Sequence, residues 1–115
     1  MEQAPGSGEP ILVALAPWRR LNRRRSAQMA EMLERLIQPG VRLVLEMSPA
    51  EEVDSDGLAM VLGLARRIDR LGGELKICGL SPRARAFFEV AQVHRRIDIC
   101  NDLNEAIRAF VRAFD

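Results

Sequence analysis

The feature that most constrains the fold is an alternation of two hydrophobic periods along the chain. Short apolar runs of strand length at 11–15, 41–47, 74–80 and 97–100 are each followed by a stretch with helical spacing. Leu43-Val44-Leu45 is apolar at consecutive positions, as expected of a strand buried on both faces. Ala30, Leu33, Leu36 and Ile37 place apolar groups on one helical face, in a segment that opens near Ser26 and is stopped by Pro39-Gly40. Leu58, Val61, Leu62, Ala65 and Ile68 do the same from about Gly57 to Leu71, where Gly72-Gly73 ends the helix. Ser81-Pro82 supplies an N-cap followed by a proline at the first helical position, and Phe87, Phe88 and Ala91 are its expected buried face. Asp102 and Glu105 form a capping-box variant for a last helix burying Leu103, Ile107, Phe110 and Phe114. Four strand–helix units in succession predict an α/β fold: a mixed, mostly parallel central sheet with about four helices packed on it.

A length of 115 residues suits one domain, and 48% apolar residues are enough for a core without disulfides. Residues 1–10, polar and rich in Gly and Pro, read as a disordered tail, and 11–115 as the domain. That start has no signal-peptide pattern, and no apolar run approaches a membrane span, so a soluble cytoplasmic protein without membrane insertion is expected. Seventeen basic against sixteen acidic residues leave a formal charge of +1, which argues against direct nucleic-acid binding. Cys78 and Cys100 form no CxxC motif and read as buried thiols. With His94 the only histidine, a zinc site is not expected. His94-Arg95-Arg96 reads as a polar turn. No nucleophile–base–orienter set or phosphate-cradling glycine loop is present, so neither an enzyme nor a cofactor is expected.

The candidate working surface is Asp54-Ser55-Asp56-Gly57-Leu58, between a buried strand and an amphipathic helix. Asp54 or Ser55 can cap the helix, and Gly57 removes a side chain from its first turn. A capped helix start is the plainer reading. The functional one makes Ser55 a switch, because phosphorylation there adds a charge of about −1.5 to −2. An EF-hand calcium loop is excluded by the spacing of its acidic residues. Arg19, Arg20, Arg23, Arg24 and Arg25 put five arginines in seven positions, read as a loop. It is either a solvated segment or a docking site for an acidic partner or anionic ligand. Trp18 beside it is a contact anchor or a packed core edge.

Leu45-Glu46-Met47-Ser48 followed by Val53-Asp54-Ser55-Asp56-Gly57-Leu58 resembles the STAS domain of anti-sigma factor antagonists. The likeness continues through Arg67, Leu71-Gly72-Gly73-Glu74-Leu75, Cys78-Gly79-Leu80-Ser81-Pro82, Phe88, Val93 and Ile97 to Asn104-Glu105-Ala106. It covers roughly residues 11 to 111 and implies a STAS-type fold and a partner-switching protein. By that likeness Ser55 is the phosphate acceptor for an anti-sigma factor that is also a serine kinase. The unphosphorylated domain binds that kinase, and a PP2C-type phosphatase resets the cycle. Asp54 and Gly57 shape the loop, and the contact surface extends to Asp56, Leu58 and the segment Arg19, Arg20, Asn22 and Arg23. Two other STAS roles are compatible with the resemblance: a subunit docking on a transporter ATPase without a phospho-switch, and a ligand-sensing domain of a larger stress-signalling assembly.

The chain also departs from the family pattern. Asp56 replaces a hydroxyl residue, a change that could weaken kinase docking, favour a basic contact or partly mimic the modified state. Glu46 stands for Asp, Glu52 replaces an apolar residue and implies a more exposed approach to the motif, and Arg19-Arg20-Leu21-Asn22 turns an acidic segment basic.

Overall fold

The computed structural model describes residues 10–112. The tail expected at 1–10 therefore lies, apart from Pro10, outside the described residues, as does Phe114. Four strands form the main sheet in the order β1 (Ile11–Leu15), β3 (Arg42–Glu46), β5 (Glu74–Cys78) and β6 (Asp98–Cys100). A separate pair joins β2 (Arg20–Leu21) to β4 (Glu52–Val53). Among the described residues every pairing is parallel. Parallel neighbours require crossover connections, and here each crossover between neighbouring strands of the main sheet carries at least one helix.

The two faces of the sheet are covered differently. Leu43 and Leu45 of β3 and Leu75 and Ile77 of β5 face a large core closed by α1 (Arg23–Glu34), α2 (Ser55–Arg70) and α3 (Pro82–Val90). Val44, Cys78 and Cys100 face the other way, against Ala106 and Phe110 of α4 (Leu103–Arg112). Leu43, Val44 and Leu45 are all fully buried, which is why β3 carries no polar alternation. On the α4 face Lys76 is 3% exposed, its ammonium donating to Glu74 and Asp98 at 2.6 Å each and lying 4.7 Å from the Phe110 ring centroid. Burial pulls this ammonium down, but the hydrogen bonds to Asp98 and Glu74 outweigh it, and its pKa lies above the usual lysine value.

Several expectations need correction. Helix α1 begins at Arg23 rather than near Ser26, because the Asn22 side chain accepts a hydrogen bond from Arg25 N at 3.0 Å and caps the helix. Arg23, Arg24 and Arg25 are thus a helical turn and not a loop, in keeping with the good helix propensity of arginine. The buried stripe of α1 is Ser26, Met29 and Leu33, while Ala30 is exposed and Leu36 and Ile37 pack at the core margin beyond the helix end. In α3 the buried pair is Ala84 and Phe88, four residues apart; Phe87 and Ala91 are exposed. Leu64, not named in the stripe of α2, is buried there. His94 lies in a short 3-10 turn, Val93–Arg95, and is exposed, in line with a polar turn.

Candidate functional site

The pair β2–β4 organises the site. Leu21 is in register with Val53, so Asn22 and Asp54 leave the pair side by side and each starts a helix. Asp54 is the cap of α2: its Oδ1 accepts from Asp56 N at 2.9 Å and Gly57 N at 3.0 Å. Ser55 is therefore left free of capping duty as the first residue of α2, and it is exposed. Asp56 is exposed beside it, an acidic group where the helix dipole favours one.

Gly57 is buried, for a reason that can be measured. A Cβ at this position would stand 2.7 Å from Val53 Cγ1 and 2.8 Å from the Leu21 carbonyl oxygen. Only glycine lets β2 lie against the first turn of α2. Leu58 is half-buried and packs on the main core, so it anchors the helix more than it offers a surface.

The arginine segment divides by function. Arg19 pairs with Glu51 at 2.6 Å and Arg20 with Glu52 at 2.7 Å. Glu52 also receives Arg83 Nη1 at 3.2 Å. The approach to the motif is thus not simply more exposed, as the loss of an apolar residue at position 52 implied; Glu52 is half-buried between two guanidiniums. Arg23 stands on the first turn of α1, exposed.

Arg20, Asn22, Glu52, Asp54, Arg83 and Phe87 border a groove of about 540 Å³ whose floor includes Leu21, Val53 and Ala84. The structure thereby brings Arg20, Asn22 and Asp54 to one surface, adjoining the α2 start that carries Ser55. Arg19 and Arg23 flank it without lining the groove. Arg83 and Phe87 were missed by the sequence reading. Phe87 sits next to Phe88 in a pattern that fixes one buried aromatic but not which, and the role of Arg83 depends on a contact 31 residues away.

Two further contacts hold the surface in place. The Ser81 hydroxyl donates to the Glu51 carbonyl at 2.8 Å and accepts from Ala84 N at 3.1 Å, tying the start of α3 to the approach of β4. Glu46 accepts from Ser48 N at 2.9 Å at the end of β3, and Gly79, at φ 75°, leaves room for both. Among the described residues no group of His, Cys, Asp and Glu could hold a metal ion, and no helix is long and apolar enough to cross a membrane. What the surface offers is a small apolar floor, ion-paired walls and an exposed hydroxyl at a helix start.

Comparison with known proteins agrees with this geometry. The STAS domain family model matches residues 19–106. A protein of Bordetella bronchiseptica carrying the description "Putative anti-sigma factor antagonist BtrV" is 30% identical over 84 residues, covering 73% of this chain and 72% of that one. A crystal structure from Thermotoga maritima, of the protein TM1081 with the same description, superposes with a TM-score of 0.79 at 18% identity, over 93% of this chain and 97% of its own. The NMR structure of TM1081 gives 0.75 at 16% identity, covering 96% and 86%. With its family model spanning both helix starts and the strands that position them, the chain belongs to the STAS domain family.

Proposed function

We propose that this chain is an anti-sigma factor antagonist of the bacterial cytoplasm whose binding surface is the start of α2 with the adjoining groove. With Ser55 unmodified it binds an anti-sigma factor. That factor, acting as a serine kinase, phosphorylates Ser55 and is released, and a PP2C-type phosphatase restores the binding form. The protein itself is a binding module and not an enzyme. The observation that carries the reading is the exposed Ser55 at the first position of α2, with the capping duty taken entirely by Asp54.

The electrostatics support a switch of this kind. The helix terminus carries roughly half a positive charge, so the domain tolerates a phosphate there. A partner packed on Asp54 and Asp56 meets a group of about −1.5 to −2 charge instead of a hydroxyl. Like charges 4 Å apart repel by about 4 kcal/mol at an effective dielectric of 20, which is enough to reduce affinity by orders of magnitude.

The test is incubation with candidate serine kinases and phosphosite mapping. Modification at Ser55, absent in Ser55→Ala, together with loss of anti-sigma factor binding in Ser55→Glu, is the expected result. A stable complex with a transport ATPase that is indifferent to Ser55→Glu would overturn it.

A further inference from the structure

A second groove, of about 550 Å³, runs along α1 beside Trp18, which is itself half-buried against the main core. Its lining is Trp18, Arg25, Gln28, Glu31, Met32 and Arg35. Arg25 lies with its guanidinium 5.3 Å from the Trp18 ring centroid and donates to Gln28 Oε1 at 2.9 Å. Stacking and hydrogen bond together hold this guanidinium in place, so less freedom is lost when it meets an anion. Met32 is 51% exposed and offers a flexible apolar patch beside it.

The charge around this groove is one-sided. Two arginines face a single glutamate in the lining. One turn before Gln28, Arg24 is exposed and makes no ion pair among the described residues, whereas Arg19 and Arg20 are matched by Glu51 and Glu52. Three arginines in the first turn of α1, with no acidic residue there, also oppose the helix dipole. Departures from local preference of this kind concentrate at functional surfaces.

We infer that the Trp18–Met32 face of α1 is a docking groove for an acidic protein segment with an apolar anchor. Its carboxylates meet Arg24, Arg25 and Arg35, and its apolar side chain lies over Met32 and the edge of Trp18. Nucleic acid fits less well, because the Trp18 ring already carries Arg25 and the chain as a whole is nearly neutral at +1. This surface is independent of Ser55 and would set which partner is chosen, not when it is released.

The groove contains its own reporter, since Trp18 is the only tryptophan of the chain. A phage library of random 16-residue peptides is selected on the full-length protein and counter-selected on an Arg24→Glu, Arg35→Glu double variant. Selected peptides are then titrated while Trp18 fluorescence is followed. Expected are peptides rich in Asp and Glu around an aromatic or aliphatic residue. They should give a saturable Trp18 signal, bind at least about tenfold more weakly to the double variant, and bind equally to Ser55→Glu. Selection of neutral or basic peptides, no selection above the double variant, or acidic peptides that leave Trp18 unchanged would overturn the inference. So would binding of poly(U) or phosphatidylserine vesicles that exceeds peptide binding and disappears in the double variant. Loss of peptide binding in Ser55→Glu would show the site to be that of the switch and not of α1. Failure of Ser55 to accept phosphate, with the acidic peptides still bound, would sink the switch and leave this groove standing.

Discussion

Asn22 and Asp54 are the same device used twice. Each follows a strand of the β2–β4 pair, each has nearly identical backbone angles (φ −93° and ψ −173° against φ −91° and ψ −173°), and each caps the helix that follows. Two helix N-termini are thereby set side by side. They differ in what they carry: three arginines on α1, and an exposed serine followed by aspartate on α2.

Asp54 should therefore matter for stability before it matters for binding. It satisfies two otherwise unpaired N–H groups, and Asp54→Ala is expected to cost about 1–2 kcal/mol. Asp54→Asn keeps an acceptor oxygen and should recover most of the loss. Urea denaturation of the three proteins checks this, and equal stability of Asp54→Ala and wild type would remove Asp54 from its capping role.

Gly57→Ala and Gly63→Ala should move stability in opposite directions although both lie in α2. At Gly57 the added methyl meets Val53 and the Leu21 backbone, and roughly 1–3 kcal/mol of destabilisation is expected from forced repacking. At Gly63 nothing lies within 4 Å, so the better helix propensity of alanine should add up to about 1 kcal/mol. Thermal unfolding of each variant decides it; a stabilised Gly57→Ala would mean that β2 does not need its close approach to α2.

Much of this architecture was legible in the sequence, because hydrophobic period and end signals speak to single elements. The four main strands, the four helices and the glycine after Asp56 were read in this way. What was not legible depends on contacts distant along the chain. The pair Arg20–Leu21 with Glu52–Val53 is too short for any period to register, and it is what brings Asn22 beside Asp54. The run Arg23-Arg24-Arg25 reads as a loop because it carries no apolar residue to set a helical period before Ser26, and it is the Asn22 cap that starts the helix at Arg23. Of Phe87 and Phe88 both looked buried, since adjacent positions on a short helix cannot be ranked without knowing which face meets the sheet.

Alkaline pH should destabilise the protein through the α4 face. Burial pushes the Cys78 thiol up to about 12, and burial followed by Glu105 raises that of Cys100. A group whose folded pKa lies above its unfolded value contributes stability below the unfolded value and loses it as pH rises toward the folded one. The loss should thus begin near the ordinary thiol value of 9.0 and, for Cys78, continue to about 12, with Lys76 adding to it above 10.5. Urea midpoints measured from pH 8 upward test this; a Cys78→Ala, Cys100→Ala variant should show a shallower decline. The native thiols should also react slowly with Ellman's reagent until the protein unfolds.

Phe88 and Phe87 should separate folding from recognition. Phe88 is fully buried against the main core, and Phe88→Ala is expected to cost about 3–5 kcal/mol through the cavity it leaves. Phe87 is 36% exposed at the rim of the groove beside Asp54, its ring edge-on to Phe88 at 6.3 Å. Phe87→Ala loses that ring contact, worth about 0.5–1.5 kcal/mol, together with the apolar area its partly buried ring covers, and should cost less than Phe88→Ala because it leaves no enclosed cavity. Under the proposed function the same truncation removes an aromatic anchor from the binding surface and should weaken anti-sigma factor binding by tenfold or more, roughly the threshold for a substantial interface residue. Denaturation curves and titration calorimetry on both variants give the two readouts. A Phe87→Ala protein that binds as tightly as wild type would move the partner's contact off this groove and onto the α2 start alone.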